Sequence, residues 1–366
     1  MTPLLVLTPP ILPLPLVPTS SHARVPEMEM DLPKIGLGCW ELGGGDYWGP
    51  TSQAEADAIV REAVELGVTY FDTAEAYNEG RSEESLGIAL RGIPREQVTI
   101  GTKISPSNTE PAALVAHCEA SLRRLGVEYV DLYMVHWPIT PDGIAHFTDA
   151  PVRPSVEAAF ETLCRLREQG KVRHIGVSNF GVARLAEALS LARPIAVNQL
   201  CYSLVSRAAE AQVLPRCREA GVGVIAYMVL QQGLLTGRYA SLQDVPSMFR
   251  RTRHFDSRRP NSLARHGGPG FEAELTAALS RLEAIAVEVG RSMADLATAW
   301  VASTPGIACA LVGSRSPRHL RSAVEAVRAP LPPQLRSALD EATRTLMEAM
   351  GPSLDFFQSP ESDRTL

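Results

Sequence analysis

Eight short apolar, β-branched runs alternate with amphipathic helical stretches from Pro33 onward. That rhythm predicts an α/β fold: a single-domain (β/α)8 barrel of the TIM type. Two further observations select the barrel over an open doubly wound sheet. Gly36, Gly38, Gly43, Gly44 and Gly45 surround the end of the first run, but Trp40, Glu41 and Leu42 interrupt them and no helix follows at once. The glycine-rich phosphate turn that a doubly wound sheet needs is therefore missing. Asp72, Lys103 and His136 each end a strand, 31 and 33 residues apart, and one strand-crossover-strand unit takes roughly 30 residues or more. Three chemically competent side chains thus fall on one rim of a parallel sheet.

Strands are expected at 34–39, 68–72, 98–103, 129–136, 173–178, 195–200, 223–229 and 308–313. Helices fit between them at 53–66, 82–91, 111–125, 155–169, 182–191, 208–220, 272–289 with 293–303, and 317–328. One extra C-terminal helix, near 333–349, follows Pro332 and Pro333. The stretch 241–270 breaks the rhythm, crowding Arg250, Arg251, Arg253, Arg258, Arg259 and Arg265 among prolines and glycines. A loop of that length in a compact domain is functional or disordered.

The barrel is expected over 31–350, with 1–30 as a disordered Pro-rich extension and 351–366 as a tail. The first 26 residues carry seven prolines, and their first positive charge is Arg24, at the far end. That order does not suit a signal peptide, and prolines so dense do not suit a membrane helix. Met28 or Met30 is an alternative start of translation. The tail, with Phe356 and Phe357, is expected either to fold over the barrel mouth or to stay disordered.

A chain of 366 residues, 45% of them hydrophobic, can bury a large core. Its net charge of −6 and lack of a long basic run argue against nucleic acid and leave a small molecule as the expected partner. The six cysteines lack the close spacing of a metal site or disulfide framework, so they read as reduced thiols in a cytoplasmic protein. Homo-oligomerisation stays open.

Reducing a carbonyl takes a hydride on one face and a proton for the oxygen. Tyr77, in the loop after Asp72, can give that proton. Its ordinary pKa is about 10, so an ammonium such as Lys103 would favour the phenolate left behind, and Asp72 would hold Lys103 charged. His136 can donate to the substrate oxygen, provided a neighbour sets its tautomer. Taken singly, Tyr77 reads as a surface aromatic, Asp72 with Lys103 as an ordinary ion pair, and His136 as a core histidine. Three strand ends in consecutive units favour the joint reading.

Phe71-Asp72-Thr73-Ala74-Glu75-Ala76-Tyr77, running on through Gly80-Arg81-Ser82-Glu83-Glu84, closely resembles the signature of the aldo-keto reductases. Gly101-Thr102-Lys103 and Asp131-Leu132-Tyr133-Met134-Val135-His136-Trp137 do so too. The resemblance runs from about Pro33 to Arg328. It implies a barrel that binds NADPH in extended form, with Tyr77 as proton donor and Lys103, Asp72 and His136 in support.

By the same resemblance, Ser178, Asn179 and Gln199 would hold the nicotinamide carboxamide and Tyr227 would stack on its ring. Three fixed polar side chains can lock which ring face meets the substrate, because a carboxamide offers one acceptor and two donor hydrogens. Leu230, Gln232, Gly233 and Leu235 would pass under the pyrophosphate. Gly313 and Arg315 would meet the adenosine 2′-phosphate, with His319 in the same loop. Met228-Val229 stands where the family usually has Ser-Pro, and His319 and Ala323 replace a common Gln and Asn. NADPH preference then rests on Arg315, aided by the arginine-rich stretch, and NADH stays open. Trp40, Tyr47, Trp48 and Trp137 flank the site as substrate contacts or as simple rim packing.

The resulting expectation is an NADPH-dependent oxidoreductase taking an aldehyde or ketone to an alcohol. A rival is a cofactor-sensing subunit like the potassium-channel β subunits, which resemble this family. A metal-dependent hydrolase fits less well, since His136 has no second histidine at strand-end spacing, and no metal is expected.

Overall fold

A computed structural model of the chain describes residues 30–366 apart from 193, 261 and 330. The expectations for the Pro-rich extension and for a start at Met28 lie outside the described residues. Eight parallel strands close in chain order: β1 (Ile35–Gly38), β2 (Tyr70–Asp72), β3 (Thr99–Ile104), β4 (Val130–Val135), β5 (Val172–Ser178), β6 (Val197–Cys201), β7 (Gly223–Tyr227) and β8 (Ile307–Gly313). Closure is made by β1 on β8, where Leu37 pairs with Val312 and Gly38 with Gly313. The (β/α)8 barrel read from the sequence is the fold.

Eleven helices are described: α1 (Gln53–Glu65), α2 (Arg81–Ala89), α3 (Pro111–Leu125), α4 (Pro141–Ala145), α5 (Val156–Glu168), α6 (Val182–Leu191), α7 (Val213–Ala220), α8 (Glu272–Glu288), α9 (Met293–Ala302), α10 (Pro317–Arg328) and α11 (Pro333–Met350). Several details depart from the sequence reading, and β2 and β6 each begin two residues later than expected, at Tyr70 and Val197. The helix expected over 208–220 begins as a 3-10 turn at Ala208–Glu210 and becomes α-helical only at Val213. Strand β7 stops at Tyr227, two residues early, because Met228 takes a left-handed φ of 56° and turns the chain out of the sheet. The short α4 had no sequence signal strong enough to separate it from loop.

Side chains alternate in and out of the barrel wall. Tyr70, Leu132, Met134, Val197, Ile225, Cys309 and Leu311 share one buried cluster inside it, with Met30 and Leu32 added from the segment before β1. Continuing each strand by two residues from this layer reaches Asp72, His136, Gln199, Tyr227 and Gly313. The upper layer of the interior is therefore the polar one. Tyr70 is admitted by two glycines: a Cβ on Gly101 would lie 2.4 Å from its hydroxyl, and one on Gly36 would lie 2.7 Å from its ring. In that slot the Tyr70 hydroxyl donates to Asp72 Oδ1 at 3.1 Å.

The tail is ordered. Asp355 and Arg364 form a buried bidentate pair at 2.6 and 2.9 Å. The Arg253 guanidinium donates to the carbonyls of Met350, Ser353 and Asp355. Gly181 N–H, at the start of α6, donates to Thr365 O at 2.9 Å. The arginine-rich stretch is ordered by the same contacts, together with ion pairs Arg258 to Asp256 and Arg259 to Glu272. Of the two sequence alternatives for the tail, docking near the mouth is the one realised: Phe357, Gln358 and Arg364 line the cavity there.

Breaking a buried pair leaves an uncompensated charge, at a cost of about 3–5 kcal/mol. Asp355→Ala is therefore expected to lower the urea-unfolding free energy by about that amount and to open residues 351–366 to limited proteolysis. An unchanged midpoint and unchanged cleavage pattern would show that the tail contributes no packing.

Candidate active site

Lys103 ends the inward row of β3 and is fully buried. Its ammonium has three donor hydrogens and three acceptors: Asp72 Oδ2 at 2.6 Å, Thr73 O at 2.8 Å and the Tyr77 hydroxyl at 3.2 Å. Burial pulls the Lys103 pKa down, but Asp72 and then Tyr77 pull it up, and the net shift is upward. Lys103 is thus a charged ammonium. Burial pushes the Tyr77 phenol above its usual range and Asp72 adds to this, while the Lys103 charge opposes them. The Lys103 charge lowers the Tyr77 pKa, and desolvation outweighs it.

Tyr77 reaches Lys103 because the chain beyond it turns sharply. Asn78, Glu79 and Gly80 take φ of 51°, 59° and 88° in succession, a costly arrangement that must be held from outside. The Asn78 amide holds it, donating to Trp40 O at 2.8 Å and Leu42 O at 2.9 Å. His136 meets the Tyr77 ring edge-on, with centroids 5.6 Å apart. Burial, then the Lys103 charge, then His146, hold the His136 pKa well below its usual value, so the ring is neutral. Its Nδ1 is buried without a partner. The tautomer-setting neighbour expected from the sequence is therefore not on that nitrogen among the described residues.

The residues matched to the carboxamide site form one network with these four. Gln199 Nε2 donates to Asp72 Oδ1 at 2.7 Å, a contact that sequence reasoning did not foresee. Ser178 Oγ donates to Gln199 O at 3.1 Å. Asn179, at a φ of 63°, donates to His136 O at 3.1 Å and accepts from the Tyr227 hydroxyl at 2.7 Å. Ser178, Asn179, Gln199 and Tyr227 line one cavity of about 1070 Å³ with Asp72, Tyr77 and His136, while Lys103 is buried behind its wall. Leu230, Gln232, Gly233, Gly313, Arg315 and His319 line it as well, whereas the Leu235 side chain is fully buried away from it.

Trp40 stacks on both Tyr47 and Tyr77, with centroids 4.7 and 5.5 Å away. Trp48 and Trp137 line the cavity, and Trp137 lies beneath the Arg364 guanidinium at 4.0 Å. Tyr47 and Trp48 are also tied to the residues matched to the cofactor. Gln232 donates to the Tyr47 hydroxyl, and Arg315 donates to Trp48 O at 2.9 Å and Pro50 O at 3.3 Å. The loop after β1 therefore straps across to the loops after β7 and β8.

Sequence reasoning missed several residues. Tyr70 was legible in principle, two positions before Asp72 on the same face of a strand. Glu41 carried no signal. It lines the cavity near Gly313 with its Oε2 unpartnered, and burial raises its pKa from 4.5 to about 7 against the opposing charges of Arg315 and Arg238. His146 and Phe147, after β4, and Arg251 and Arg265, from the long loop, line the mouth. Burial, then Arg364, Arg265 and Arg251, push the His146 pKa down to about 4.

A closed parallel barrel whose carboxyl-terminal rim gathers a buried ammonium, a carboxylate, a phenol and a neutral imidazole is built like a barrel enzyme. The model of the aldo/keto reductase family matches residues 34–344. The chain is 32% identical over 314 residues to aldo-keto reductase YhdN of Bacillus subtilis (strain 168), covering 83% of this chain and 88% of that protein. It is 30% identical over 346 residues to the NADH-specific methylglyoxal reductase of Escherichia coli (strain K12), covering 89% and 97%. A crystal structure of an aldo-keto reductase from Klebsiella pneumoniae in complex with NADPH superposes with a TM-score of 0.63 at 29% identity, covering 85% of this chain and 90% of that one. The chain belongs to the aldo/keto reductase family and is an oxidoreductase of that family. Among the described residues, no helix is long and apolar enough to cross a membrane.

Glu41 supplies a pH signature. Its folded pKa of about 7 lies above its unfolded value, so its contribution to stability is full below about pH 4.5 and is lost as pH rises through about 7. Glu41→Gln is expected to remove a fall in unfolding free energy on the order of 1–3 kcal/mol between pH 5 and pH 8. Urea titrations at the two pH values check it, and parallel curves for both proteins would refute it.

Proposed function

We propose that the chain reduces an aldehyde or ketone to an alcohol with NADPH as reductant, Tyr77 delivering the proton to the carbonyl oxygen. The observation that carries this reading is the Lys103 ammonium, held between Asp72 and the Tyr77 hydroxyl. The cavity residues fit a nicotinamide dinucleotide. Ser178, Asn179 and Gln199 offer the donors and acceptors a carboxamide needs, Tyr227 offers an aromatic face, and Arg238 and Arg315 offer charge for phosphates. When bound, the reduced nicotinamide supplies the hydride.

The chain's own side chains handle the proton. As negative charge develops on the substrate oxygen, the Tyr77 hydroxyl donates to it, and the phenolate left behind is stabilised by the ammonium 3.2 Å away. Asp72 keeps that ammonium charged, and is itself held by Gln199 and Tyr70. The neutral His136 ring beside Tyr77 orients the carbonyl oxygen by hydrogen bonding. The stacked Trp40 and the buried Trp137 give the substrate an apolar flank. Six free cysteines fit a reducing cytoplasm.

NADPH is favoured by Arg315 and Arg238. NADH is kept as the alternative because the E. coli relative is NADH-specific and because Glu41 lies within the field of both arginines. A sensing subunit is the rival role. It would bind cofactor and turn over no member of a carbonyl panel.

Tyr77→Phe is expected to lower kcat/KM for carbonyl reduction by about 10²–10⁴-fold, the usual contribution of a positioned general acid, with cofactor affinity retained. Nucleotide consumption and cofactor fluorescence titration check the two parts, and near-wild-type turnover would remove Tyr77 from the reaction. Reduction needs the protonated phenol, whose pKa lies above its usual value. The rate is therefore expected to stay level through neutral pH and fall only in strongly alkaline solution.

A further inference from the structure

The acids lining the cavity are Glu41, Asp72 and Asp295. Asp72 is neutralised by Lys103, Asp295 accepts from Ser322 between α9 and α10, and Glu41 lies beside Gly313 at the end of β8. At the mouth the charge is positive. Of the six arginines in the long loop, Arg253, Arg258 and Arg259 are committed to the structural contacts described above, but Arg251 and Arg265 face the cavity. Neither makes an ion pair among the described residues. Arg251 has its Nε buried without a partner and its guanidinium over the Tyr47 ring at 4.4 Å. Arg265 touches the His146 ring, Nη1 to Nδ1, at 3.3 Å.

Two ladders of ring contacts connect these arginines to the reacting phenol. From Arg251 the steps are Tyr47, then Trp40 at 4.7 Å, then Tyr77 at 5.5 Å. From Arg265 they are His146, Phe147 at 5.0 Å, His136 at 5.5 Å and Tyr77 at 5.6 Å. One arginine thus approaches Tyr77 from the β1 side and the other from the β4 side. Arg364, also at the mouth, has its charge met by Asp355, and Arg238 and Arg315 belong to the residues matched to the cofactor, so Arg251 and Arg265 are the open guanidinium groups left for a substrate.

Resting on the reductase reading above, we propose that the substrate is an anionic carbonyl compound. Its carboxylate or phosphate is gripped by Arg251 and Arg265 while its carbonyl oxygen lies at Tyr77 and His136. A planar guanidinium matches the oxygens of either anion and binds them bidentately. The aromatic walls between the arginines and Tyr77 hold the carbon skeleton and strengthen the pairing by excluding water. Burial is the main cause of the depressed His146 pKa, and the charges of Arg364, Arg265 and Arg251 add to it, which places both Arg251 and Arg265 within electrostatic reach of the same ring.

The test compares matched pairs of substrates. Succinic semialdehyde against its methyl ester probes the carboxylate, and glyceraldehyde 3-phosphate against glyceraldehyde probes the phosphate. In the wild type, kcat/KM is expected to favour at least one anion over its neutral partner by about tenfold or more, mainly through KM, the size expected of a charge-assisted hydrogen bond. In R251Q/R265Q that ratio is expected to fall to near one, and in R251K/R265K to an intermediate value. Preference for the carboxylate alone or the phosphate alone supports the proposal and identifies the anion. A wild-type ratio near one, or a ratio unchanged in R251Q/R265Q, overturns it.

If neither member of any pair is turned over, the reductase reading falls, and the anion site is judged by binding alone. Calorimetric titration with succinate and with inorganic phosphate then gives heat in the wild type that R251Q/R265Q loses. Equal binding, or none, in both proteins overturns the site.

Discussion

A lysine ammonium sealed inside a barrel is the constraint from which the site follows. Desolvating such a charge costs several kcal/mol unless every donor is met, and Lys103 meets all three of its own, on Asp72, Thr73 and Tyr77. Each acceptor needs support in turn. Asp72 keeps its place because Tyr70 and Gln199 occupy its other oxygen. Tyr77 keeps its place because Asn78 pins a left-handed turn to the loop after β1. The two glycines that admit Tyr70, the short β2 strand and the strained turn are parts of one arrangement. Loosening any of them would leave a buried charge short of a partner.

The rim is organised by a second principle. Loops that carry binding residues must be held by something other than strand pairing, and here they hold one another. The loop after β1 is fastened to the loops after β7 and β8 through Tyr47, Gln232 and Arg315. The long loop before α8 is fastened to the tail through Arg253, and the tail to the start of α6 through Thr365. This cross-bracing lets charged side chains stand near one another without pairing. It gives the cavity one end where Glu41 lies among arginines and another where Arg251 and Arg265 face the opening.

Much of this was written in local pattern. Eight apolar runs alternating with amphipathic stretches specify strands and helices by side-chain period alone. The spacing of Asp72, Lys103 and His136 specifies that they share a rim. Those features follow from pattern and spacing along the chain, so the sequence by itself determined the barrel, its strand order and the gathering of Asp72, Lys103 and His136 on one rim. Tyr70 belongs to the same category, since a two-residue step along β2 puts it under Asp72.

Other features come from residues far apart in the chain whose meeting no local period encodes. Gln199 on Asp72 spans 127 positions and Arg315 on the Trp48 carbonyl spans 267. The raised pKa of Glu41, the unpartnered Nδ1 of His136 and the docked tail are of the same kind. Whether an arginine is a strut, as Arg253 is, or an open charge, as Arg251 is, depends on what packs beside it, although the two stand two positions apart. Tertiary structure alone decided these matters, because burial and charge compensation belong to the assembled surroundings of a side chain and not to its place in the sequence.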